Sequence, residues 1–195
     1  MFLQSLERLY KLLPLDDIQV DVYLTDDGCT DGTPEALTEY FPQVNIIHAK
    51  GDLFWNRGMW TAWDTAAKTK KYNFYLWLND DTFVYDNMLE VLIEAALETK
   101  ERAIIVGATE STDHSNITYG GRLKDGKIPS PNGRLVKVKY FNGNIVLIPQ
   151  AVYNVLGNLD PYFTHSKGDF DYGLRAKKLG IDIYQAGEVL GECDA

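Results

Sequence analysis

The stretch Phe74-Tyr75-Leu76-Trp77-Leu78-Asn79-Asp80-Asp81-Thr82 restricts what this chain can fold into more than any other part of it. An apolar run of strand composition stops at an amide and two adjacent carboxylates. Strands that read as continuous apolar runs are buried on both faces, as in parallel α/β sheets, and their C-terminal ends face the ligand crevice. Asn79, Asp80 and Asp81 are therefore expected at the mouth of a site. Side-by-side carboxylates repel unless a cation joins them, and a hard divalent ion bound through oxygen is the usual answer. The stretch predicts metal-assisted chemistry on a phosphate-bearing substrate.

A formal net charge of -9 fits that prediction only on one condition. An acidic site repels a diphosphate unless a bound divalent cation inverts the local field. The same charge argues against nucleic-acid binding, which leaves a basic footprint. With 195 residues, 45% of them apolar and 24% charged, the chain is expected to form one globular domain with a substantial core. No apolar stretch is long enough to span a bilayer, and the amino terminus has no signal-peptide pattern. Cys29 and Cys193 match no disulfide framework or metal spacing, which points to a reducing, cytoplasmic setting.

Periodicity supplies the remaining elements. Met1 to Leu13 reads as a short amphipathic helix, with Phe2, Leu3, Leu6, Leu9, Tyr10 and Leu13 on its apolar side. Val20 to Thr25 reads as a strand ending at Asp26-Asp27-Gly28. Thr33 is expected to cap a helix that has Pro34 in its first position. Val44 to His48 is a second strand, Trp60 to Lys70 a helix, and Phe74 to Leu78 a third strand. A helix over Asp86 to Leu97 precedes the strand Ala103 to Val106. Alternating strands and helices predict a mostly parallel central sheet flanked by helices. The pattern then becomes mixed. Ile117 to Leu123 and Leu135 to Tyr140 read as strands around a Gly- and Pro-containing loop, and Val146 to Ile148 as another. A short helix over Ala151 to Leu156 follows, then a helix from Asp169 to Leu179 stopped by Gly180, and a strand Ile181 to Tyr184. No repeat or linker divides the chain.

Three acidic clusters carry the chemistry. In Asp26-Asp27-Gly28-Cys29-Thr30-Asp31-Gly32-Thr33, turn and capping preferences explain Asp31, Gly32 and Thr33 but not acids placed where a strand ends. An EF-hand would need a Glu at Thr38 and an oxygen ligand at Cys29, and a phosphotransfer Asp-x-Asp motif would need an acid at Gly28. Asn79-Asp80-Asp81 is the second cluster. The third is Gly168-Asp169-Phe170-Asp171-Tyr172-Gly173-Leu174-Arg175, where an acid at a helix start also complements the macrodipole. Asp171 and Arg175 have the spacing of an i, i+4 ion pair. Trp60 and Trp63 are at helical spacing and expected in the core. Trp55 is placed in a loop, free to stack on a base or sugar ring. Arg57 is a candidate partner for a diphosphate or for a structural ion pair. His165 is a lesser candidate for a metal or acceptor contact.

In this order the clusters resemble family 2 glycosyltransferases of the GT-A fold. The first resembles the "DDGSTDGT" element. Asn79-Asp80-Asp81-Thr82 resembles the DxD element in the Asn-x-Asp-Thr variant of rhamnosyltransferase-like members. Phe141-Asn142-Gly143-Asn144 and the third cluster resemble the acceptor-side and "ED-x-D" elements. The resemblance runs from about Val20 to Gln185. It implies a single GT-A domain over residues 1–195, with a nucleotide-sugar half at 1–108 and an acceptor half at 109–195. It implies that Asp26 or Asp27 meets the nucleotide base or ribose, and that Asp81 binds Mg²⁺ or Mn²⁺ on the donor diphosphate. Asn79 or Asp80 would lie near the ribose or the metal's waters, and Asp169 would be the general base of an inverting transfer. A UDP- or dTDP-linked sugar is the favoured donor, and a sugar or lipid-linked glycan the acceptor, in polysaccharide biosynthesis. The setting it implies is cytoplasmic, with peripheral contact at the inner membrane face. The family's usual first strand, with its Pro-x-x-Asn-like element, has no counterpart before the first helix. The "ED" pair here is Gly168-Asp169, and the first DxD acid is the amide Asn79.

Three other classes have sequence requirements of their own. A sugar nucleotidyltransferase would want a Gly-rich, basic loop near its first strand. A receiver module would want a Lys at a later strand end, where Gly107-Ala108-Thr109 stands. A catalytically silent sugar-nucleotide binder would keep the fold without the chemistry.

Overall fold

The structure, a computed structural model, describes residues 2–13 and 18–195. The apolar run does form a strand, β3 (Phe74–Leu78), and the acids follow it directly. In chain order α1 (Phe2–Lys11), β1 (Tyr23–Asp26), α2 (Thr33–Tyr40), β2 (Asn45–His48) and α3 (Phe54–Thr69) precede it. After it come β4 (Phe83–Val84), α4 (Met88–Glu98), β5 (Ala103–Glu110), β6 (Ile117–Tyr119), β7 (Gly121–Arg122), β8 (Val136–Lys137) and β9 (Tyr140–Phe141). The chain continues through β10 (Ile145–Pro149), α5 (Gln150–Leu156), α6 (Gly168–Lys178) and β11 (Asp182–Glu192). Met1 and the side chain of Phe2, both assigned above to the first helix, lie outside what is described. Leu6 and Leu9 of that helix are buried, as its pattern requires.

The main sheet has the order β3-β10-β5-β11-β4, with β6 added to β5 and β8 to β11. β5 and β11 are parallel, while β10 runs antiparallel to both β3 and β5. β3, β5 and β11 thus point the same way, and their C-terminal ends share one rim. The period-2 alternation of side chains sorts them into two cores. On one face Ala103, Ile105, Ile145, Leu147 and Leu190 pack with Met88, Leu89 and Leu92 of α4 and with Leu6 and Leu9. On the other Ile104, Val106, Val146, Ile148, Tyr75 and Trp77 pack with Trp63, Val152 and Tyr172 from α3, α5 and α6. Both faces are covered by helices, which is why β5 and β10 read as uninterrupted apolar runs.

β1 and β2 form a separate parallel pair, and among the described residues β3 pairs only with β10. The structure corrects several sequence expectations. Gly32, in the left-handed region at φ 81, stands at the cap of α2, and Asp31 Oδ1 accepts the Thr33 N–H at 3.0 Å; Thr33 is helical and caps nothing. The third helix starts at Phe54 rather than Trp60, so Trp55 and Arg57 lie in its first turns and not in a loop. β5 and β11 run well past the predicted Val106 and Tyr184.

Candidate active site

The acids gather at the rim because each follows a strand end or opens a helix there. Asp26 closes β1 and is 8% exposed. Its Oδ1 accepts the Cys29 N–H at 2.8 Å and its Oδ2 meets His48 Nδ1 at 2.9 Å. The Cys29 hydrogen bond first, and the His48 contact second, hold its carboxyl below the usual range.

Asp27 has a different task. Its two oxygens accept the backbone N–H groups of Gly51, Asp52, Leu53 and Phe54 at 2.9 to 3.1 Å. Partial burial opposes its charge, and these donors outweigh it to hold the carboxyl low. An anion at the start of a helix complements both the unpaired N–H groups and the dipole, so Asp27 is what begins α3. With its oxygens occupied by backbone, it is a scaffold for the site.

α3 in turn reaches the other two clusters. Trp55 Nε1 donates to Asn79 Oδ1 at 2.8 Å, and its ring stands edge-on to Trp77. The same ring lies so close to Gly143 that a Cβ there would meet it at 2.6 Å. Gly143 N–H donates to Asp169 Oδ2 at 3.0 Å, and Asn79 N–H donates to Asn144 O at 3.1 Å. One indole therefore links the strand end that carries Asp80 and Asp81 to the carboxylate that opens α6. Trp55 acts as a strut rather than as a free stacking surface. Arg57 donates from Nε to Pro161 O at 2.9 Å, which ties it to the 160–164 loop. Asn56 is fully buried and donates from Nδ2 to Asp160 O and Phe163 O, both at 2.8 Å.

Asp169 opens α6 and is half-buried. Burial pushes its carboxyl upward, against the opposing hydrogen bonds from Phe170 and Gly143 and the charge of Arg122. Arg122 is held by Asn142 Oδ1 at 2.9 Å and Gly126 O at 3.1 Å. Sequence reasoning passed over Arg122 because β7 is two residues long and carries no pattern. Asp171 pairs with Arg175 at 2.7 Å, and Arg175 also reaches Leu156 O and Asn158 O, so that pair braces α6.

Desolvation first and the Asp81 charge second push the Asp80 carboxyl upward. Among the described residues no three His, Cys, Asp or Glu side chains form a ready cage. The donor set nevertheless fits a hard divalent ion. Two adjacent carboxylates give oxygen ligands, and the buried Thr82 Oγ1 beside them has no hydrogen-bond partner. Mg²⁺-type ions take one or two carboxylates and complete their shell with waters and substrate phosphates. His165 is exposed and stands edge-on to Phe54. A recess of about 460 Å³ lined by Glu98, Arg102, Leu135 and Tyr184 lies at the opposite, starting ends of β5 and β11.

Comparison with known proteins gives the family and the fold. The family model "Glycosyl transferase family 2" matches residues 2–157. Among solved structures, GalNAc-T7 with UDP, GalNAc and Mn²⁺ superposes with a TM-score of 0.70 at 13% identity, covering 95% of this chain and 39% of that one. The mannosyltransferase PcManGT from Pyrobaculum calidifontis, in complex with GDP-Man and Mn²⁺, superposes with a TM-score of 0.66 at 15% identity, covering 98% of this chain and 52% of that one. Both are GT-A glycosyltransferases, and this chain has their fold. It spans about half the length of these structures or less. No curated protein matches the sequence.

Proposed function

The chain belongs to glycosyl transferase family 2, and from that membership we propose that it moves a sugar from a nucleotide-diphosphate donor to an acceptor hydroxyl with inversion. The observation that carries this reading is the Trp55–Gly143–Asp169 linkage, which sets a desolvated carboxylate beside the strand end bearing Asp80 and Asp81. That is the arrangement a transfer needs: acids for a metal-bridged diphosphate on one side, a base for the acceptor on the other.

In this scheme Asp169 accepts the acceptor hydroxyl proton as that oxygen bonds to the anomeric carbon. The bond from that carbon to the diphosphate oxygen breaks, and its electron pair leaves with the nucleoside diphosphate. A carboxylate raised toward the working pH suits such proton transfer, which typically contributes ~10²–10⁴-fold. Asp81, with Asp80 beside it, would hold Mg²⁺ or Mn²⁺. Such an ion supplies Lewis-acid neutralisation of the departing charge. Asp26, whose Oδ2 meets His48, would contact the base or ribose, with Asn79 or Asp80 near the ribose or the metal's waters. Asp27 and Arg57 serve by fixing α3. Alignment of the two substrates supplies much of the remaining acceleration. A UDP- or dTDP-linked sugar remains the favoured donor and a glycan the acceptor.

The test is to compare the protein with its Asp169→Asn variant against UDP- and dTDP-sugars with Mn²⁺. Nucleotide release in the presence of acceptor should fall ~10²–10⁴-fold in the variant while donor affinity is kept. Retained transfer would remove Asp169 as the base, and a product that keeps the donor's anomeric configuration would remove inversion.

A further inference from the structure

Among the described residues Arg122 pairs with no carboxylate. It is half-buried at the end of β7, and its partners are neutral. Nε donates to Asn142 Oδ1 at 2.9 Å and Nη1 to Gly126 O at 3.1 Å, which leaves Nη2 with no protein acceptor among those residues. Asp169 does not neutralise it, because the Asp169 oxygens accept the N–H groups of Phe170 and Gly143. A charge drawn partly out of water is costly to hold without an opposite charge. A guanidinium presents a planar fork of donors that matches phosphate oxygens two at a time.

Three consecutive residues set its place. Asn142 holds the guanidinium, Gly143 N–H holds Asp169, and Asn144 O accepts the N–H of Asn79. Consecutive Cα atoms are about 3.8 Å apart, so the three anchors fall within about 8 Å of backbone. The cation, the base and the strand end bearing Asp80 and Asp81 are therefore neighbours. Tyr119 reports the same closeness. Burial first, then Cys193 and Asp81, push its phenol upward, and the Arg122 charge opposes them. Arg57, the sequence candidate for a diphosphate contact, has its Nε on Pro161 O instead.

We propose that Arg122 is a catalytic residue that binds the donor's diphosphate and neutralises it as it departs. This rests on the transferase reading and gives it a second cation beside the metal. A divalent ion offsets the diphosphate of the intact donor. When the bond to the anomeric carbon breaks, its electron pair adds a further negative charge at the leaving oxygen, which that ion alone does not balance. Arg122 stays protonated throughout and meets this charge with the N–H groups its protein partners leave free. A donor held in place before the charge develops is worth about 10²–10³-fold in kcat.

Calorimetry with Mn²⁺ tests this on the protein and its Arg122→Gln and Arg122→Lys variants. The probes are UDP, dTDP and GDP, each set against its monophosphate, UMP, dTMP or GMP. For the base that binds, Arg122→Gln should lower diphosphate affinity about tenfold relative to monophosphate affinity. Arg122→Lys should recover most of that loss, because a point charge remains. The kcat for nucleotide release from the matching sugar donor should fall about 10²–10³-fold in Arg122→Gln. An unchanged ratio of diphosphate to monophosphate affinity in Arg122→Gln would overturn the diphosphate contact. So would an equal loss for both nucleotides, which with a lower unfolding temperature would make the guanidinium a brace for the 122–126 turn. A kcat kept in Arg122→Gln would overturn the catalytic role. Metal-dependent nucleotide binding with an unaltered ratio would leave the transferase reading standing without Arg122. Failure of every nucleotide to bind the parent protein would defeat both.

Discussion

At the scale of single residues, the two carboxylates that open helices at this rim behave in opposite ways because their partners differ. Asp27 is surrounded by backbone donors and held low; Asp169 is held high by burial. The sign of each has a consequence. A carboxyl raised in the folded state disfavours the charged form, so its contribution to stability is present at low pH and is lost as pH rises through the raised value. Asp169→Asn should therefore gain most in unfolding temperature at neutral pH, relative to the parent, with the gain shrinking as pH falls. The acidic limb of the pH–rate profile should lie above the ordinary Asp value of ~3.9. Asp27 has the reverse sign, stabilising above the unfolded value and losing that contribution as pH falls through its lowered one. Asp27→Asn leaves some of the 51–54 donors facing an amide N–H₂. A cost of about 1–3 kcal/mol in chemical denaturation is expected, with weakened transfer as α3 loosens. An unchanged denaturation midpoint would remove Asp27 from its scaffolding role.

At the scale of elements, the site depends on close approaches that only small residues permit. A Cβ at Gly143 would meet the Trp55 ring at 2.6 and 2.7 Å, and the ring is packed between Gly143 and Trp77. Gly143→Ala should push Trp55 off Asn79 and lower transfer more than stability, read as kcat/KM against unfolding temperature. Gly107 in β5 makes the contrast. Its Cβ would meet Ile145 at 2.9 Å and Leu190 at 3.1 Å inside the core. Gly107→Ala should cost about 1–3 kcal/mol by overpacking, through stability alone. The sequence showed β3, α4, β10 and α6 to within a few residues because each is a clean apolar or amphipathic run. It hid the start of α3, where Phe54-Trp55-Asn56-Arg57-Gly58 has no cap of its own. The acid that starts that helix lies far earlier in the chain, at Asp27, beyond the reach of any local pattern.

At the scale of the molecule, three clusters far apart in sequence, at the end of β1, the end of β3 and the start of α6, are tied together through α3, which meets Asp27 at its start and Asn79 through Trp55, the ring that abuts Gly143 beside Asp169. Ordered motifs made the family and the fold legible before any coordinates. The links themselves were not legible. Trp55 to Asn79, Gly143 to Asp169, and Asn56 to the 160–164 loop are pairings between side chains and distant backbone, which leave no periodic trace. Nor does the pattern show that β10 is antiparallel, because a strand buried on both faces reads the same in either direction. The net charge of -9 remains the molecule-wide constraint, since a diphosphate approaches such a surface only with a cation. The most direct test is calorimetric titration with UDP, dTDP and GDP, with and without Mn²⁺, of the protein and its Asp81→Ala variant. The account predicts that one nucleotide binds only with Mn²⁺ and that Asp81→Ala abolishes this binding; affinity indifferent to both metal and substitution would contradict it.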